Sequence, residues 1–219
     1  MEKISYFNVV GPIMIGPSSS HTAGACRIGL AARAILEKDF KSITFKLYGS
    51  FAKTYIGHGT DRALIAGCLG LMPDDERLID AFNLADEKGI DIKFEEVELP
   101  LAHPNTAIVE FTYEDGSVRS IEGISTGGGQ IEVRKIDGQS VKILPGDPTL
   151  ILQYEDRKGV IAKVTSVLAE NDFNIEKIMN NHEGNIITLV IILDKKIDDN
   201  VYEKIKNSGE YNHVSYVYF

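Results

Sequence analysis

Apolar positions in this chain change period several times, and the changes mark its elements. After Gly16-Pro17 and a polar run, small and apolar residues recur at helical spacing through Ala23, Ala25, Ile28, Leu30, Ala31, Ala34 and Ile35. This predicts a helix that ends near Asp39, with a short strand ahead of it at 6–10. Residues 43–48 alternate apolar and polar, as a half-buried strand does, and run into Gly49-Ser50. A second helix is expected through Ala63, Leu64, Ile65, Ala66, Cys68 and Leu69, with Thr60 or Asp61 placed to cap it. Residues 72–77 read as a turn into a third helix, with Pro73 near its first turn, which stops by Gly89. Strands are expected at 91–98, 107–113, 118–124 and 130–136. Glu114-Asp115-Gly116 forms a hairpin turn, and Gly127-Gly128-Gly129 interrupts the strand pattern. Three consecutive glycines suit close approach of a ligand or a neighbouring chain, or serve as a flexible link.

The pattern then breaks at Leu144-Pro145-Gly146-Asp147-Pro148, a run of turn residues that reads as a linker between 1–147 and 148–219. Beyond it, strand and helix periods alternate as βαββαβ, with strands at 149–154, 175–181, 186–193 and 214–219. The helices there fall around Val160, Ile161, Val164, Val167 and Leu168, and over 198–207. Such alternation predicts a small antiparallel sheet with two helices on one face. The fold class expected for the whole chain is α+β, a mixed α/β N-terminal domain followed by this second domain.

Composition narrows the function. A net charge of −9 argues against nucleic acid as a partner. No apolar run reaches membrane-spanning length, and Met1-Glu2-Lys3 does not open a signal peptide, so a cytoplasmic location is expected. Cys26 and Cys68 are too few for a disulfide framework, and each sits within a helical apolar pattern that suits a buried thiol. A four-iron cluster usually takes three or four thiolates, which this chain does not supply, so no metal is expected on it alone.

Candidate chemistry sits in three short constellations. Gly16 to Thr22 place Ser18, Ser19, Ser20, His21 and Thr22 directly before a helix. A helix start offers free N–H groups and partial positive charge to a carboxylate or phosphate, and the same residues also suit ordinary capping. Gly57-His58-Gly59-Thr60-Asp61 flanks an imidazole with glycines, which favours an exposed ring or a plain capping turn. His103-Pro104-Asn105-Thr106 is polar and stiffened by proline. Histidine side chains can serve as proton donors or acceptors, which makes all three candidates for proton transfer.

Taken together, these motifs resemble the β domain of the iron–sulfur L-serine dehydratases, in the order Gly-Pro-Ser-Ser-Ser-His-Thr (16–22), Gly-His-Gly-Thr-Asp (57–61), His-Pro-Asn-Thr (103–106) and Ser-Thr-Gly-Gly-Gly (125–129). The resemblance covers roughly 5–145 and implies a fold similar to the allosteric substrate-binding domain of some phosphoglycerate dehydrogenases. The family's Gly-Lys pair before the Gly-His-Gly turn is replaced here by Tyr55-Ile56. Residues 148–219 resemble an ACT domain, on Asp156 with Gly159 at the first strand–helix turn, Asn174-Ile175 and the Gly184-Asn185 hairpin.

The resemblance implies the β subunit of a two-chain lyase that converts L-serine to pyruvate and ammonia. A separate Cys-rich α subunit would carry the 4Fe-4S cluster, whose exposed iron would bind the substrate hydroxyl and carboxylate, and this chain alone would be inactive. His58, His21 and His103 would be catalytic, with His58 the most important. Ser18, Ser19, Ser20, Thr22, Gly57, Gly59, Thr60, Asp61, Asn105 and Thr106 would line the substrate. The ACT-like domain would pair two β chains and bind a small amino acid by Asp156, Gly159 and Asn174, or act only as an oligomerisation clip. The alternative is a non-catalytic, serine-sensing regulatory protein. A detached dehydrogenase tail is a third reading, but the chain lacks the Gly-x-Gly-x-x-Gly unit needed to bind a dinucleotide.

Overall fold

The structure, a computed structural model, describes residues 13–36 and 39–218. The strand expected at 6–10 lies outside them. The chain divides into two compact units, Met1–Gly138 and Gln139–Phe219.

In the first unit, helix α1 (Gly24–Leu36) is followed by strand β1 (Ser42–Gly49), helix α2 (Ser50–Thr54), helix α3 (Thr60–Cys68), helix α4 (Ala81–Glu87) and strand β2 (Asp91–Glu96). Strands β3 (Asn105–Thr112), β4 (Val118–Gly127) and β5 (Gln130–Ile136) complete it, and β6 (Gln139–Ile143) opens the second unit. Within the first unit the sheet order is β2-β1-β3-β4-β5. Strands β1 and β2 run parallel because the three helices between them form the crossover. The alternation read from 43–48 holds, since Ile43, Phe45 and Leu47 are buried while Thr44, Lys46 and Tyr48 are only half-buried. On the outer face Lys46 Nζ reaches Glu110 Oε1 at 2.6 Å.

Helix α1 lies across β3, β4 and β5, and α3 packs against α1. The crossing is tight because both helices put glycine there. A Cβ on Gly67 would stand 2.0 Å from the Cys26 carbonyl oxygen, and one on Gly29 would stand 2.4 Å from that of Leu64. Cys26 and Cys68 are buried beside this crossing.

Two local readings are corrected, and one short helix is new. The helix expected directly after Pro73 starts later: Asp75 accepts from the Arg77 amide and caps a tight 3₁₀ turn, Glu76–Asp80, before α4 begins. Helix α3 is capped by neither Thr60 nor Asp61. Its N-cap is Gly59, whose φ of 65° is left-handed. The five-residue helix α2 was not anticipated.

In the second unit, β7 (Thr149–Glu155), α5 (Val160–Glu170), β8 (Ile175–Glu183), β9 (Ile186–Leu193), α6 (Asp199–Lys206) and β10 (His213–Val217) give the expected βαββαβ order. The sheet runs β10-β7-β9-β8 with every pairing antiparallel. Alternate residues Leu150, Leu152, Tyr154, Ile187, Leu189, Ile191 and Leu193 form one core with Val160, Val164 and Leu168 of α5 and Val201 and Ile205 of α6. Both helices therefore cover the same sheet face. Strand β6 belongs with this unit: the Thr188 hydroxyl donates to the Gln139 side chain and the Asn181 amide to the Ser140 carbonyl. The division at Gly138 falls ahead of the turn-rich 144–148 run for that reason.

Candidate active site

The site is built where the first constellation becomes a helix. Ile15 N–H donates to the Pro73 carbonyl at 2.8 Å, fastening the incoming chain. Gly16, at φ 120°, lies so close to Thr22 that a Cβ would meet its Cγ2 at 2.6 Å. Ser18 then caps a wide, π-type turn, Ser19–Ala23, that continues into α1. Its Oγ accepts from His21 N at 3.1 Å, and its carbonyl accepts from Thr22 N and Ala23 N at 2.8 and 3.4 Å. The Gly24 amide donates to Ser19 O. Four amides that a bare helix start would offer to an anion are thus used inside the turn. Those of Ser19 and Ser20 have no backbone partner among the described residues.

The turn aims His21 inward. Its Nδ1 hydrogen-bonds Ser20 Oγ at 3.0 Å, with Ser18 Oγ at 3.5 Å, and its Nε2 hydrogen-bonds Ser50 Oγ at 2.9 Å. The ring meets Phe51 edge-on and lies 4.9 Å from the His58 ring, centroid to centroid. Burial first, and the His58 ring second, push the His21 imidazolium below its ordinary range. His58 is held through its backbone: its N–H donates to Thr54 O at 3.1 Å and its carbonyl accepts from the Thr22 hydroxyl at 2.9 Å. The flanking glycines do not leave this ring in solvent, as the sequence reading expected. It is half-buried, and its Nδ1 is buried with no protein partner among the described residues.

Two further hydroxyls lack partners in the same unit. Thr60 Oγ1 and Ser125 Oγ are both buried without a hydrogen bond among the described residues. Ser125 Oγ packs onto α1 at Gly24, where a Cβ would stand 2.2 Å from it. Asp61 accepts from Arg62 N at 2.8 Å, and burial raises its carboxyl above the usual range.

The third constellation is joined to the first two by backbone. Pro104 O accepts from Ser50 N and Phe51 N at 2.7 and 3.3 Å. Asn105 donates its side-chain amide to Ser125 O at 3.4 Å, and Thr106 its hydroxyl to His103 O at 2.6 Å. His103 does not join the imidazole pair. It is exposed, accepts from Asn105 N at 3.1 Å, and lines a cleft of about 580 Å³ with Glu122, Arg134 and Lys135. Ser50 is the polar contributor that sequence reading passed over, while Ser125 opens the Ser-Thr-Gly-Gly-Gly motif without having been named a site residue. Ser50 carried only a weak signal, its place directly after Gly49 at the end of β1.

The whole chain is similar to the L-serine dehydratase beta chain of Peptoniphilus asaccharolyticus, 39% identical over 220 residues that cover 99% of each. This chain belongs to the L-serine dehydratase beta-chain family. A second member, the probable L-serine dehydratase beta chain of Bacillus subtilis, is 40% identical over 94% of both chains. The family descriptions "Serine dehydratase beta chain" and "ACT domain" match residues 5–84 and 149–210. A D-3-phosphoglycerate dehydrogenase of Bacillus subtilis is similar at 22% identity over 84% of this chain and 35% of its own length.

The beta chain's own donors do not fit an iron–sulfur cluster. Cys26 donates its thiol to Leu71 O at 3.3 Å inside the helix crossing, and burial pushes that thiol up to about 12. Burial likewise holds the Cys68 thiol well above its ordinary value. Neither forms a ligand set with other residues: among the described residues no three His, Cys, Asp or Glu side chains gather as metal ligands.

In the ACT unit, Gly159 is the left-handed N-cap of α5, at φ 89°. Asp156 N donates to Asn185 O at 2.9 Å, at one end of β9. Asn174 lies at the other end, where it exchanges hydrogen bonds with Asp194. The length of β9, on the order of 25 Å, separates them. Within one chain the structure does not bring Asp156 and Gly159 together with Asn174.

Proposed function

We propose that this chain forms one wall of an L-serine dehydratase active site completed by a separate, Cys-rich alpha chain, and that the His21–His58 pair moves the protons of the elimination. The observation that carries this reading is the pair itself, two imidazoles 4.9 Å apart with one ring nitrogen buried and unpartnered. Rings this close disfavour simultaneous protonation. The substrate carboxylate is held by the amides of Ser19 and Ser20 with their hydroxyls. His58 takes the α-proton, and protonated His21 gives a proton to the β-hydroxyl, which leaves as water. The resulting aminoacrylate tautomerises to an imine and is hydrolysed to pyruvate and ammonia. The 4Fe-4S cluster implied by the family resemblance belongs in this reading to the alpha chain, consistent with two protonated thiols here. Purified alone, the chain is expected to be colourless and inactive on L-serine, and to gain turnover with its Cys-rich partner. A single chain that binds stoichiometric iron and turns over serine refutes the reading.

The ACT unit is proposed to pair two beta chains. Strand β10 is a sheet edge, and Val214, Ser215, Tyr216 and Val217 carry no charge to discourage pairing. Chain 1–147 is expected to be monomeric by light scattering where the full chain is dimeric. A truncated chain that stays dimeric refutes the pairing.

A further inference from the structure

We infer that Ser50 is a positioning residue for the dehydratase reaction, holding His21 in the orientation that the imidazole pair requires. This rests on the role proposed above for His21. Ser50 is fixed on three sides: its amide donates to Pro104 O at 2.7 Å, its carbonyl accepts from the Thr54 hydroxyl at 2.8 Å, and its Oγ meets His21 Nε2 at 2.9 Å. Gly49 makes this placement possible. Its φ of 63° turns the chain out of β1, and a Cβ there would stand 2.7 Å from Pro104 O. The serine is therefore presented by a rigid corner and not by a mobile loop.

The chemistry of the contact suits a ring that changes charge. Ser20 Oγ lies at one ring nitrogen and Ser50 Oγ at the other. Each hydroxyl can donate or accept, so the two accommodate both neutral tautomers and the imidazolium. The bond from Nε2–H to Ser50 strengthens when the ring is charged. Ser50 thereby opposes burial and His58, which both disfavour the cation. Among the described residues, the groups facing His21 are the Ser18 and Ser20 hydroxyls of its own turn and, from neighbouring elements, the Ser50 hydroxyl, the Phe51 ring and His58, of which His58 is the titratable one. Without Ser50 the His21 titration should fall further, and the ring is free to rotate away from His58.

The test uses the full beta chain labelled with ¹⁵N at histidine, and in parallel the enzyme reconstituted with its alpha chain. Ser50→Ala is expected to lower the His21 titration midpoint, to move the acid limb of the kcat profile the same way, and to cut kcat about ten- to a hundredfold with KM little changed. Ser50→Thr, which keeps the hydroxyl, is expected to restore all three. A His21 titration that Ser50→Ala leaves in place overturns the inference whatever the activity does. A titration that moves while turnover stays unaltered overturns the catalytic role given to His21, and with it the part of Ser50 in the reaction.

Discussion

His58→Ala lowers kcat of the reconstituted enzyme by about a hundredfold or more, the usual loss when a positioned proton acceptor is removed. That is roughly 2.7 kcal/mol of transition-state stabilisation. The expectation falls on His58 and not on His21 because of what each ring already holds. Both nitrogens of His21 are engaged by serine hydroxyls. The His58 ring is not held by serine hydroxyls in this way: its Nδ1 is buried with no partner among the described residues. Its backbone bonds to Thr54 and Thr22 survive the substitution, so the loop stays in place and the loss should appear in kcat more than in KM. Measurement of both constants on L-serine decides it, and an unaltered kcat identifies His58 as structural.

Gly67→Ala is expected to destabilise the chain by about 3 kcal/mol or more, beyond the middle of the range for overpacking. The added methyl would stand 2.0 Å from Cys26 O and 2.8 Å from Leu30 N, both backbone atoms of α1 that no rotamer change can move. Relief requires α1 and α3 to separate, which opens the core around Ile28, Leu64 and Ile65. A thermal melt of the beta chain should show Tm lower by on the order of 10 °C. A melt unchanged within error would show that the helices do not cross as closely as these contacts require.

Much of the fold was legible in the sequence because its strands alternate cleanly, as at Ile43, Phe45 and Leu47, and because the βαββαβ periods of the second unit are unambiguous. Strand β6 was hidden beside the turn-rich run at 144–148, where Pro145 and Gly146 dominate the local signal. The site was legible only in part. Motif spacing pointed to His21 and His58, which the fold brings into contact. It could not show that Asn105 N–H turns His103 toward a different cleft, because that depends on the β1–β3 register. Nor could it show that α5 carries the chain back along the sheet, so that Gly159 and Asn174 end at opposite ends of β9.

His21 stands three residues before α1 and His58 two residues before α3, so the glycine crossing of those helices also gauges the distance between the imidazoles. The reference dimension of the site lies in the buried core. Thr22 and Gly59 hold the histidines locally, one through its hydroxyl bond to the His58 carbonyl and the other through its left-handed φ, whereas a methyl group at Gly29 or Gly67 would reset the gauge from inside. Sensitivity of turnover to substitution should therefore map onto the helix contact as well as onto the polar pocket, and positions that never meet the substrate would behave, in a mutational screen, like members of the active site.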